Sequence, residues 1–324
     1  MRLWDVEPSL FGNVEGRFQR DSDGNEVWVL TLKRAWVFSD QQWQADHDVV
    51  VRDGPEYSGE PGQSALIADH DFPVIKQNSD VIAVGNARTP GKQAMTHHQC
   101  RLRIDGHVDK TIEVVGERKW VSHGGSITVS EPSTFIEKEI DYRHAVGGDG
   151  RNRLGGGVAK KNKTLLDMQV PSVFYPEQNW QPSQRKVRVA GFGVVPPHFD
   201  ERRKHAGTFD EVWELERKPM MPHDFNPLFY QVAPSDQQCD GFLRGGEQLT
   251  LTGFDHYDAL SFRIPSERFI AIAEFDEVLE QAMSIYTVLI DGDAKRVEMA
   301  YTAAFPCQGH EECLTVSSVR EDSE

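Results

Sequence analysis

The sequence predicts a mainly β protein: antiparallel sheets arranged like a sandwich in two packed β-rich halves, with few short helices and long surface loops. Three observations carry that expectation. Apolar residues alternate with polar ones at period two over most of the chain. Asp-Gly pairs fall between such runs, where a hairpin needs a residue that accepts positive φ. Stretches with helical periodicity are scarce and short.

Taken in order, residues 27–32 and 49–51 are dense apolar runs, expected as strands buried on both sides. Cys100, Leu102 and Ile104 alternate with Arg101 and Arg103, and Ile112 and Val114 with Thr111 and Glu113. Asp105-Gly106 joins these two runs as a hairpin. Residues 147–157 form a glycine-rich loop, followed by Lys160, Lys161 and Lys163 and a Pro/Gln-containing connection, read as a long surface excursion facing a partner. Val187 and Val189 alternate with Lys186 and Arg188 and predict a strand that ends in the Pro196-Pro197 turn.

Thr208 is placed to cap a helix whose Phe209, Val212, Trp213 and Glu216 fall on one stripe, with Trp213 as its buried anchor. Pro219 and Pro222 stop it. Residues 223–230 then put Phe225, Leu228, Phe229 and Tyr230 on a loop. Leu249 and Leu251, then Leu260, Phe262 and Ile264, return to period two, and residues 275–282, with Val278, Leu279 and Ala282 on one stripe, predict a second short helix. Asp291-Gly292 joins the runs at 286–290 and 297–301 as another hairpin. The expected organisation is one unit, 1–324: a β-rich half at 1–141, the connecting loop at 142–184, a second β-rich half at 185–304, and a C-terminal turn and tail at 305–324, disordered from Arg320.

Charge and composition exclude several classes. With 35 Lys and Arg against 51 Asp and Glu, the net charge of −16 argues against nucleic-acid binding, which needs clustered cations. No apolar h-region follows Met1 and no run approaches the roughly 18 residues of a membrane span, so the expected location is the cytoplasm without membrane insertion. Four cysteines, Cys100, Cys239, Cys307 and Cys313, are few for the length and are expected as reduced thiols.

Three groups of residues invite chemistry. Gly155, Gly156 and Gly157 with the lysines beyond them lack the G-x-x-x-x-G-K-[ST] spacing that cradles phosphate. Cys307, His310 and Cys313 are spaced for three zinc ligands but show no fourth. His97, His98, His123, His198, His205 and His223 lack the H-E-x-x-H spacing and any paired nucleophile, so catalytic residues and cofactors are expected to be absent.

One resemblance is specific enough to name. AGFG at 190–193, Pro196-Pro197, AGTFDEVW at 206–213, the P-x-x-P-x-DF-x-P-x-F-Y run at 219–230 and AP-x-DQ at 233–237 occur in an order similar to the signature of a bacterial domain-of-unknown-function family. Ser79-Asp80-Val81 with Gly85 and Ala87, and Gly116-Glu117-Arg118-Lys119-Trp120, resemble two further family segments. One loop departs from the pattern: Arg153 and Gly156 stand where the family commonly has Pro and a basic residue. The family is associated with accessory proteins of the type VI secretion system. The resemblance therefore implies an adaptor or chaperone that binds an effector or a PAAR-containing protein and assists its loading onto the VgrG spike, co-export with the spike remaining compatible with it. Gly155, Gly156, Gly157, Phe225, Phe229 and Tyr230 are the expected partner-binding residues. The alternatives are a metal-dependent hydrolase and a structural component of the spike.

Overall fold

The computed structural model describes residues 4–158, 166, 170–178 and 187–322. Its centre is a six-stranded sheet in the order Asn13–Arg20, Glu26–Ser39, Arg296–Pro306, Ser284–Asp291 and Asp80–Val84, with Gln42–Asp46 added to the far end of the long second strand. All pairings are antiparallel except the last, where Asp80–Val84 runs parallel to Ser284–Asp291. Two strands from the last third of the sequence therefore lie between strands from the first third in one sheet.

A five-stranded antiparallel sheet, in the order Val173–Phe174, Val108–Val115, His97–Ile104, Gln248–Thr252 and Leu260–Arg263, packs on one face of the first. Leu32, Trp36, Val81, Val288 and Met299 from the central sheet meet Cys100, Leu102, Ile112, Leu249, Leu251 and Phe262 from the second in one buried cluster. Period-two patterning put those side chains on facing surfaces, and sheets carrying them must stack to bury them. A third sheet, Asp5–Val6, Val316–Glu321, Phe269–Glu274 and Val278–Ala282, covers Trp28, Leu30 and Phe305 at the end of the same face. Among the described residues the fold is mainly β with two short α-helices, α1 (Asp200–Arg203) and α2 (Glu211–Glu216).

The long strand Glu26–Ser39 is buried on both sides, but its two faces differ. Leu30 and Leu32 enter the apolar core, whereas Thr31 and Lys33, each at most 2 % exposed, face a polar cluster. Lys33 Nζ is paired with Asp71 and lies 3.3 Å from Glu298, which also receives Arg52 at 2.6 Å. Thr31 Oγ1 donates to the Asp71 carbonyl at 2.8 Å. This arrangement ties the segment at 49–76 across the central sheet.

Several local expectations differ from what forms. The Asp105-Gly106 turn is as predicted, with Ile104 paired to Val108 and Gly106 at φ +79°. At the second hairpin the left-handed residue is Lys295, not Gly292. Gly292 is needed because a Cβ there would lie 2.6 Å from the Phe254 ring. Residues 49–51 form no strand; Val49 and Val51 are buried and Val50 points outward.

Residues 275–282 are not helical: Phe275 N–H bonds to Glu277 O in a tight turn, and Val278–Ala282 then pairs with Phe269–Glu274. Two apolar neighbours and one more four residues on do not distinguish a helix from an edge strand when a ladder partner lies just across a tight turn. Arg320 and Glu321 likewise belong to a strand, paired with Ile270 and Phe269, where a disordered tail is expected from sequence.

Candidate partner-binding surface

Residues 187–237 form no strand, in contrast to the alternation at 186–189; they lie as a belt across two sheets, fastened by buried polar groups. The Phe192 carbonyl accepts from Ala83 N–H at 3.1 Å and from Gln237 Nε2 at 2.9 Å, and that same amide donates to Val81 O at 2.7 Å. Asp80 pins the belt's other end. Its fully buried carboxylate accepts from Lys76 Nζ at 2.6 Å, Val232 N at 2.8 Å, Gln231 Nε2 at 3.0 Å and Ala233 N at 3.2 Å. Charge-assisted and backbone hydrogen bonds in this number offset the desolvation of a buried carboxylate.

A second clasp is centred on Lys110, whose ammonium donates to Asp236 Oδ1 at 2.8 Å and Gln237 Oε1 at 2.7 Å. Complete burial pushes its pKa down to about 8 even though Asp236 opposes the shift. Burial alone would raise the Asp236 carboxyl, but Lys110 and the Tyr175 hydroxyl at 2.7 Å hold it below its ordinary range. A third clasp is Arg202 of α1, which donates to Asp69 Oδ2 and Val195 O, each at 2.9 Å, and to Phe229 O at 3.1 Å.

Between the clasps the belt leaves the body of the protein. Asp210, not Thr208, caps α2, its Oδ1 accepting Trp213 N–H at 2.9 Å. Thr208 is occupied elsewhere, its hydroxyl and N–H both donating to Asp224. Arg217 and Met221 seat the excursion on the hairpin turn at 21–25 by bonds to Ser22 O. Trp213 is only half-buried; its indole N–H donates to Met220 O at 2.9 Å, and its ring meets Phe209 edge-on at 4.8 Å. The rest of the predicted stripe, Phe209, Val212 and Glu216, turns outward, with Phe209 55 % and Val212 56 % exposed, and Leu215 beside it is 86 % exposed. Asp210, Glu211, Glu214 and Glu216 surround them.

The expected partner-binding residues are placed differently. Phe225, Phe229 and Tyr230 form a half-buried knot of rings with centroids 5.6–6.2 Å apart, and Arg202 lies over the Phe229 ring. The glycine loop is closed on itself, Val146–Gly147 pairing with Gly156–Gly157 around a fully buried Asn152. Asn152 Nδ2 donates to Tyr142 O and Val146 O, while its Oδ1 accepts from Leu154 N and Gly155 N. A Cβ on Gly155 would fall 2.3 Å from Ala145 O, and Gly157 sits at φ +91°. These glycines therefore serve the loop's own closure. Lys160, Lys161 and Lys163 lie outside the described residues.

A family model described as an uncharacterized protein conserved in bacteria (DUF2169) matches residues 23–302. The chain belongs to the DUF2169 family. No curated protein and no solved structure matches it. The range matched to DUF2169 includes every motif residue of the belt and Asp80, and ends before the cysteine-histidine turn.

In that turn of this DUF2169 protein the predicted ligand set divides. Cys307 points into the core beside Trp28, Phe305 and Leu314, whereas His310 and Cys313 face outward and meet Asp276. Of the other histidines, His97 and His98 sit in the strand His97–Ile104, His198 and His205 flank α1, His223 precedes the aromatic knot, and His123 ends the strand Trp120–His123. Among the described residues, none of His97, His98, His198, His205 and His223 belongs to a cluster of three metal-donor residues. Sequence reasoning missed Asp80, Lys110 and Lys33 as polar hubs. For Asp80 the signal was present as the one charge in the apolar strand Asp80–Val84, whereas Lys33 and Lys110 sit beside other charged residues, Arg34 and Asp109, that mask them.

Proposed function

We propose that this DUF2169 protein is an adaptor or chaperone of the type VI secretion system that binds an effector or a PAAR-containing protein and assists its loading onto the VgrG spike. The motif resemblance across residues 79–237 supports the pathway. The observation that carries the binding role is the outward side of the capped, hydrogen-bonded α2 excursion, where Phe209, just before the helix, and Val212 and Leu215 on it are each more than half exposed. Contiguous exposed apolar groups within an acidic rim are a feature of protein-binding surfaces. In this reading the face covers an apolar segment of the client until the client joins the spike, and the −16 charge keeps the pair soluble.

Co-expression with a PAAR-containing effector tests the reading. The expected result is co-purification and a higher soluble level of the effector than without this protein. Absence of both would overturn it.

A further inference from the structure

We propose a zinc site formed by Asp276, His310 and Cys313, with Cys307 excluded from it. The imidazole, thiolate and carboxylate donor atoms of these three residues all lie within 4.8 Å of one another. His310 Nδ1 is 3.2 Å from Asp276 Oδ2. Ligand atoms around tetrahedral zinc stand at comparable separations, given bonds of about 2.0–2.3 Å.

The backbone holds both arms. Gln308 at φ +53° and Gly309 at φ +84° reverse the chain after Pro306, and Glu311–Cys313 is a 3₁₀ turn with Cys313 N–H bonded to His310 O at 3.0 Å. Side chains three apart in such a turn eclipse, which brings His310 and Cys313 to one side. Leu314, 1 % exposed, anchors the turn below, and Thr315 bonds twice to Glu274 O on the strand that leads into Asp276. Asp276 itself is presented by the Phe275–Glu277 reversal.

The electrostatics favour a cation. Asp276, Glu311 and Glu312 put three carboxylates at this turn. A divalent ion relieves that crowding. On binding, the Cys313 S–H proton leaves to solvent, its sulfur lone pair forms the metal bond, and water completes the tetrahedron. A mixed sulfur, nitrogen and oxygen set suits zinc among the divalent ions. This inference is independent of the adaptor reading: it makes no use of the α2 face, and His310 and Cys313, though not Asp276, lie beyond the residues matched to the family.

The test uses the full, tag-free, reduced chain titrated with zinc by calorimetry and with cobalt by absorption. Expected are about one zinc per chain and, with cobalt, tetrahedral d–d bands and a thiolate charge-transfer band. Cys313→Ser and His310→Ala should weaken zinc binding more than about tenfold, and Asp276→Asn should weaken it less. Cys313→Ser should also abolish the charge-transfer band. Cys307→Ala, folded by circular dichroism, should retain both. Zinc should raise the thermal midpoint of the native chain and not that of Cys313→Ser. No uptake by the native chain, uptake that survives Cys313→Ser, or loss of uptake in a folded Cys307→Ala chain would each overturn the proposal.

Discussion

The belt at 187–237 and the α2 excursion within it are opposites. Where the belt meets the sheets, charged and amide groups are inside: Gln237 of the belt and Asp80 and Lys110 of the strands beneath it are at most 3 % exposed and every one is partnered. In the excursion, large apolar groups are outside. The first arrangement makes sense as fastening, because a segment that forms no strand must satisfy its backbone groups by other means once it is buried. The second contributes nothing to the fold that a polar residue would not. The difference separates residues the fold requires from residues it tolerates, and predicts where substitutions act.

The largest effect is expected at Asp80. Asp80→Ala leaves Lys76 charged in a dry site and strands the N–H groups of Val232 and Ala233. Removing one partner of a buried pair typically costs about 3–5 kcal/mol. Urea unfolding measures this, and a midpoint within error of the native chain would show that the belt is not fastened there. The next effect is at Gly155, where an added methyl meets Ala145 O and Asn152 Nδ2. Gly155→Ala should cost roughly 1–3 kcal/mol by overpacking. Partner recovery that fell while stability held would support the partner-facing role expected from sequence.

The Lys110 clasp sharpens the comparison through pH. A lysine whose folded pKa is about 8 binds its proton less readily than in the unfolded chain. Between that value and the ordinary one near 10.4 the unfolded state holds more protons, so this group makes stability rise with pH across that window and leaves it flat below about 8. The effect of the single group is at most about 3 kcal/mol. Lys110→Met should remove it: the stability of the native chain relative to the variant should increase from pH 8 to pH 10. A difference independent of pH would mean that Lys110 titrates normally.

Much of the fold was legible because the faces of its strands differ. Cys100, Leu102 and Ile104 could only be a half-buried strand, and their partners Ile112 and Leu249 carry the same pattern. Three things were not legible, each for a physical reason. The stripe at 278–282 is too short to separate period two from period 3.6, and the ladder offered by Phe269–Glu274 decides it. Trp213 lies on a stripe that would normally be buried, but a six-residue helix bounded by Pro219 and Pro222 is oriented by its turns and by Arg217, not by that stripe. Cys307 has zinc-ligand spacing to His310, yet the strand Arg296–Pro306 delivers it to the core side, and Asp276, 34 positions before His310, takes its place.

The smallest expected change in stability is also the most informative for function. Val212→Ser and Leu215→Ser, singly or together, remove apolar area that already contacts water, so each should shift unfolding by less than about 0.5 kcal/mol. Trp213→Ala in the same helix should cost more, roughly 1–3 kcal/mol, because it loses the contact with Phe209 and the bond to Met220 O yet starts half-buried, below the range of a full core truncation. If the outward face holds a client, the paired serine variant should lose most of the co-purifying effector at unchanged stability, as interfaces concentrate their binding energy in a few apolar anchors. The control is Glu216→Gln on the rim of the same helix, which keeps the apolar face and should retain capture. Undiminished capture by the serine pair would move the client surface away from α2 and leave the exposed stripe without a role in binding.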